Sequence, residues 1–228
     1  MIRQSAALTV RLTSYALRFT VIVVALAACV TEEQIKKANG YYQEGVSYVE
    51  TDQQRAFVSF QKAIQLDPNH KEAHYALGHL YYLKAKYKQA EEQFQEAVRI
   101  DSDYSEAHNY LGQTYQRQER WPEAVKAYRK ALANPLYATP DKAMFNLGKA
   151  LAHEGDFQGA IQAFEDTLSV SPPSLPPVLV HLELGKTYYK LGYDDKARES
   201  LSRVTSLNQG GELAAEAAKL MERLKRSN

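Results

Sequence analysis

Gly45, Gly78, Gly112, Gly148 and Gly185 stand 33, 34, 36 and 37 residues apart, each within a similar pattern of apolar and small side chains. Recurrence at that period makes the chain an array of one supersecondary unit. The unit is clearest from Lys71 to Tyr104. There Leu77, Gly78 and Tyr81 return in the next unit as Leu111, Gly112 and Tyr115, and Ala90, Phe94 and Ala97 return as Ala124, Tyr128 and Ala131. Positions 4, 7, 8 and 11 of a unit share one helical face. Small residues at positions 8, 20 and 27 let two antiparallel helices approach toward the lower end of the usual ~8–10 Å. A lone helix pair cannot bury such a face, whereas roughly three or more stacked pairs can, closed by a helix with a polar outer side.

These residues resemble the tetratricopeptide repeat, and the resemblance implies an all-α, right-handed α–α superhelix of about five repeats plus a C-terminal capping helix. The repeats are placed at 38–70, 71–104, 105–138, 141–174 and 178–211. Repeat one carries Tyr41, Gly45, Tyr48, Ala56, Phe60 and Ala63, with an inter-helix turn one residue short. Trp121-Pro122 opens the second helix of repeat three, since proline is tolerated in a first turn. Thr139 can cap the next helix with Pro140 at its first position. Ser171-Pro172-Pro173-Ser174-Leu175-Pro176-Pro177 reads as a short, stiff, extended linker. From Glu212 to the end at 228, Leu213, Ala217, Leu220, Met221 and Leu224 share one face opposite charges, as a closing helix requires.

Residues 1–28 are of another kind. Arg3, Arg11 and Arg18 precede an apolar run from Phe19 to Ala28, with no acidic residue before Glu32. The run is too short for a helix spanning ~30 Å of hydrocarbon and reads as an export signal. It ends in Leu26-Ala27-Ala28-Cys29, which resembles the bacterial lipobox. That resemblance implies acylation of Cys29, cleavage before it, and a lipidated tether at 29–37. Val30 in place of Asp implies sorting to the periplasmic face of the outer membrane of a Gram-negative bacterium. Cys29 is the only cysteine, so there is neither a disulfide framework nor a free thiol to consider. More than one acyl chain is needed for lasting attachment, so the domain is tethered by lipid and not inserted.

The whole chain holds 28 Lys and Arg against 27 Asp and Glu. Removing 1–28 takes three basic and no acidic residues, leaving a net charge of −2. That balance argues against nucleic acid as a partner. His74, His108 and His181 share repeat position 4, which points to packing between helices; His70 and His74 lack a third ligand, so no metal is expected. Gly185-Lys186-Thr187 lacks the upstream glycine of a phosphate loop and falls inside a helix, where no amide is free. With no nucleophile or metal motif, the reading is non-enzymatic, with no cofactor and no small-molecule substrate.

The first helix of each repeat turns positions 2, 5, 9, 12 and 13 toward the concave side. Candidate groove residues are Tyr42 and Val46 in repeat one, Tyr75, His79, Tyr82 and Leu83 in repeat two, and Asn109 in repeat three. Phe145 and Lys149 follow in repeat four, and Leu182, Lys186 and Tyr189 in repeat five. Tyrosines suit protein recognition because they offer apolar area, a polar tip and few rotors. Tyr42, Tyr75, Tyr82 and Tyr189 serve either a partner or the packing between repeats. Positions 5 and 9 do not reproduce the carboxylate clamp of chaperone-binding relatives.

A lipobox followed by five such repeats and a closing helix is similar to the type IV pilus pilotin lipoproteins of the PilF/PilW type. The more specific part is Ala133-Asn134-Pro135-Leu136-Tyr137-Ala138-Thr139-Pro140-Asp141-Lys142-Ala143, leading into Phe145-Asn146-Leu147-Gly148. The resemblance implies a secretin subunit as protein partner and the membrane as anchor point. The alternative is a lipoprotein adaptor that docks a periplasmic protease or cell-wall hydrolase.

Overall fold

The computed structural model describes residues 30–226, which form eleven helices and no strand. Cys29 and the export signal lie outside the described residues. The described chain divides at Pro68 and Asn69 into two compact units.

The first unit is a helix pair, α1 (Glu32–Tyr48) and α2 (Gln53–Leu66). Helix α1 begins before Ala38, so residues 32–37, expected as part of a tether, are helical. The cause is local. Thr31 Oγ1 accepts from Gln34 N at 3.2 Å, and Gln34 Oε1 accepts from Thr31 N at 2.9 Å. This capping box satisfies two orphan amides, and Glu32 and Glu33 in the first turn suit the positive end of the helix. Asp52 Oδ1 starts α2 by accepting from Gln54 N and Arg55 N at 3.1 and 3.0 Å. Ala38, Ala56, Phe60 and Ala63 are fully buried between the two helices.

The second unit stacks α3 (Lys71–Leu83), α4 (Tyr87–Ile100), α5 (Ser105–Arg117), α6 (Trp121–Ala131), α7 (Pro140–Glu154), α8 (Phe157–Ser169), α9 (Pro177–Lys190), α10 (Asp194–Leu207) and α11 (Glu212–Arg226). Consecutive helices pair as α3–α4, α5–α6, α7–α8 and α9–α10, each pair packs on the next, and α11 closes the stack against α10 and α9. One continuous core runs from Ala90 and Phe94 to Ala217 and Leu224.

Within each pair, a large side chain of the second helix lies on the glycine of the first. A Cβ built on Gly78, Gly112 or Gly148 would stand 2.8, 2.6 or 2.5 Å from the ring of Phe94, Tyr128 or Phe164, and these rings are fully buried. At Gly185 the place of the ring is taken by Leu201. The turn inside each pair also repeats. Ala85, Glu119, Gly155 and Gly192 all adopt positive φ, at 54°, 61°, 86° and 74°. Only two of these four residues are glycine, so the fold imposes left-handed backbone on Ala85 and Glu119 against their intrinsic preference.

The links between pairs differ. Pro122 and Pro140 sit in the first turns of α6 and α7, as expected. Thr139 occupies the N-cap of α7, but its side chain makes no capping bond. The Ser171–Pro176 link runs in bends instead of the straight extended strut its prolines predict. Asp141, fully buried in the first turn of α7, draws it back: Oδ2 accepts from Ser174 N and Leu175 N.

Candidate functional site

Three first helices of the second unit, α3, α5 and α7, enclose a hollow of about 490 Å³. That lies within the usual ~300–1,000 Å³ of ligand sites. Position 5 supplies Tyr75, Asn109 and Phe145, as the repeat pattern expects, and α5 and α7 add Glu106, Tyr110, Gln113, Lys142 and Asn146. Tyr137, Ala138 and Thr139 from one inter-pair link, and Leu175 from the other, complete the wall.

Tyr110 is the hub of the aromatic side. Its ring meets Tyr75 edge-on at 5.7 Å, Tyr82 at 5.8 Å and His79 at 4.9 Å, and stacks on Phe94 at 5.7 Å. Such edge and offset geometries suit the ring quadrupoles and hold the cluster rigid. Burial pushes the phenols of Tyr75, Tyr110 and Tyr137 above their ordinary value and lowers that of the His79 imidazole. These groups are therefore neutral near pH 7.

The polar side is made of amides. Asn109 is 4% exposed, and its Oδ1 accepts from Asn146 Nδ2 at 3.3 Å. Each carboxamide carries a donor and an acceptor, the same pair that an extended polypeptide offers at every residue. Aromatic faces beside carboxamides can hold an apolar side chain and its main chain together. They offer no nucleophile and base set for chemistry.

The remaining candidates from the sequence fall in several places. Tyr82 lies near the hollow, its hydroxyl accepting from Arg117 Nε at 3.3 Å. Leu83, at the end of α3, is exposed. Lys149 lies over the Phe145 ring at 5.7 Å. Lys186 is engaged inside the fold, with Nζ 2.9 Å from both Glu183 and Glu216, and so ties α9 to the closing helix. Tyr189 is half-buried and packs on the core. Leu182 is not a groove residue: it is 2% exposed and belongs to the core, because α11 packs on α9 where another repeat would stand. In the first unit, Tyr42 packs against Phe60 at 5.9 Å and Val46 is exposed.

Tyr110, Tyr137, Asn146 and Leu175 were missed by a count of positions 2, 5, 9, 12 and 13. Tyr137 and Leu175 lie in links that have no period; the signal for Tyr137 was the Ala133–Ala143 segment that carries the family resemblance, and for Leu175 only the absence of charged neighbours.

Of the histidines at position 4, His74 packs between helices as expected, with Nδ1 2.9 Å from Gln93 Oε1 on α4. His108 turns to the link before its own helix, with Nε2 2.9 Å from the Ser102 carbonyl, and His181 is half-buried. Among the described residues no group of three or more His, Cys, Asp or Glu side chains is placed to hold a metal, and no helix is long and apolar enough to cross a membrane. Gly185-Lys186-Thr187 lies in the interior of α9.

Comparison with known proteins agrees with the helix pairing. Tetratricopeptide-repeat families match residues 52–85 and 78–119, 106–176, and 179–210. No curated protein matches the sequence significantly. Among solved structures, PilF of Pseudomonas aeruginosa is similar with a TM-score of 0.71 at 24% identity, covering 86% of each chain. PilW, a widely conserved type IV pilus biogenesis factor, is similar with a TM-score of 0.70 at 26% identity, covering 81% of this chain and 86% of its own. YrrB, a tetratricopeptide-repeat protein with an unusual peptide-binding site, gives 0.67 at 24% identity over 78% of this chain and 90% of its own. Over more than half its length the chain carries the sequence of the repeat as well as its fold, and it belongs to the tetratricopeptide-repeat proteins.

Proposed function

We propose that this protein is an outer-membrane lipoprotein, anchored through acylated Cys29, that acts as a pilotin for a type IV pilus secretin. Its repeats hold a segment of the secretin subunit while the lipid carries the pair to the periplasmic face of the outer membrane, where the ring assembles. The observation that carries this reading is likeness over most of the chain to both PilF and the pilus biogenesis factor PilW. The lipobox-like Leu26-Ala27-Ala28-Cys29 adds to it. Tethering confines the search for a partner to the neighbourhood of the bilayer and so raises the effective concentration. The protein catalyses nothing in this scheme.

Deleting the gene is expected to leave secretin monomers and abolish pili. Heat-resistant secretin multimers at normal levels in the deletion strain rule the reading out. Cys29→Ala is expected to bind secretin still but leave it away from the outer membrane; loss of binding itself would mean that the lipid acts otherwise.

A second reading is favoured by YrrB, since a peptide-binding protein outside the pilus factors shares the fold almost as well. On that reading the chain is a lipoprotein adaptor that docks a periplasmic protease or cell-wall hydrolase. Pilus genes beside its own gene favour the first reading, hydrolase genes the second.

A further inference from the structure

In a chain that is 24% charged, residues 131–140 and 167–182 contain no Asp, Glu, Lys or Arg. These stretches hold the two links that border the hollow, through Tyr137, Ala138 and Thr139 on one side and Leu175 on the other. The link before α5, by contrast, is charged and tied by an ion pair, Lys71 to Asp101 at 2.6 Å.

The uncharged links are not slack. Asn134 Nδ2 donates to the Asp103 carbonyl at 3.1 Å, and Asn134 Oδ1 accepts from Leu136 N at 2.9 Å. Tyr137 is buried beside it. The second link is held by the buried Asp141 carboxylate through Ser174 N and Leu175 N. Between these fixed points Leu136 is 88% exposed, the most exposed large apolar side chain among the described residues, and Pro172, Pro173 and Pro176 are exposed on the other link. A leucine pinned in water by its own backbone bonds gains nothing for the fold, because it buries almost no area.

We propose that the two links form an uncharged rim at the mouth of the hollow that docks an extended, uncharged segment of a protein partner. The partner places an apolar side chain among Tyr75, Tyr110 and Phe145 and pairs its main chain with the Asn146 carboxamide, which the buried Asn109 holds in place. Three observations select this occupant. The links carry no charge, and the charged residues lining the hollow, Glu106 and Lys142, are opposite in sign, so a charged segment would lose hydration with no net attraction there. The hollow supplies carboxamides suited to a peptide backbone. A lipid surface is a poor match, because membrane-seeking faces surround their apolar residues with Lys and Arg, and the rim has none. This deepens the proposed function: it rests on the molecule being a protein-binding scaffold, but not on the partner being a secretin.

The test uses the full chain, purified in detergent and immobilised, against a phage-displayed library of random linear peptides. Selection is expected to yield uncharged sequences with a leucine or aromatic residue. A fluorescently labelled selected peptide should bind about tenfold or more weakly to Leu136→Lys, while Leu207→Lys, a change at another exposed leucine, leaves binding alone. Selected peptides rich in charge, or binding indifferent to Leu136→Lys, overturn the proposal. So does flotation of the Cys29→Ser chain with phosphatidylethanolamine–phosphatidylglycerol vesicles if Leu136→Lys abolishes it, or self-association in sedimentation that needs Leu136. Normal secretin rings without the gene, alongside intact peptide binding at the rim, remove the pilotin reading and leave the rim. Secretin rings that need the gene but tolerate Leu136→Lys, with no peptide selected, remove the rim alone.

Discussion

The ring of Phe94 occupies the space where a side chain at Gly78 would begin, with Cε1 only 2.8 Å from an ideal Cβ there. Gly78→Ala therefore forces a fully buried ring to move, at a cost of about 1–3 kcal/mol for overpacking. Better helix propensity returns about 1 kcal/mol. A lowered thermal midpoint is expected, and Phe94→Ala, which empties the same site, should cost more, about 3–5 kcal/mol. An unchanged midpoint for Gly78→Ala would show that the helices part freely.

Ala85 and Glu119 sit at the turn position that Gly155 and Gly192 fill in later pairs, all at positive φ. Left-handed backbone costs an L-residue about 1–2 kcal/mol, and glycine loses part of that gain through greater freedom when unfolded, about 0.5–1 kcal/mol. Ala85→Gly is expected to raise stability by up to about 1 kcal/mol, with Gly155→Ala lowering it. Paired chemical denaturation curves measure both signs.

Asp141→Ala removes the acceptor for Ser174 N and Leu175 N. A buried hydrogen bond contributes about 0.5–1.5 kcal/mol, and a buried amide left without its acceptor costs about 1–3 kcal/mol, so a clear loss of stability is expected. Amide exchange should quicken at those two positions first. Asp141→Asn, which keeps a carbonyl oxygen, is expected to fall between. Protection at Ser174 and Leu175 that survives Asp141→Ala would mean that the link is held otherwise.

Burial lowers the imidazole values of His79, His108 and His181 below the ordinary 6.5. Their contribution to stability is complete above the unfolded value and declines as pH falls below it, because the unfolded chain takes up the proton more readily. The thermal midpoint should therefore drop between about pH 7 and pH 5. His79→Gln combined with His108→Gln should flatten that slope. Proton resonances of the imidazoles report each titration directly.

The sequence made the array legible because ring and glycine recur at a fixed offset, so one period encodes both helices and their contact. Position 5 of three repeats brought Tyr75, Asn109 and Phe145 to one hollow for the same reason. What stayed hidden depends on residues that no period relates. Asp141 meets Ser174 and Leu175 across a whole helix pair, and Leu182 is covered by a closing helix whose docking place is not written in repeat five itself. Residues 32–37 looked like a tether because they precede the repeat pattern, although Thr31 and Gln34 already spelled a helix start.

That early start bears on how the scaffold meets a bilayer. If Cys29 carries the acyl chains, only Val30 and Thr31 separate it from the first helical residue, a reach of at most about 3.3–3.6 Å per residue. Such a mooring has almost no slack. Helix α1 would ride at headgroup level, and whatever the first unit touches would have to come down to the membrane to be met.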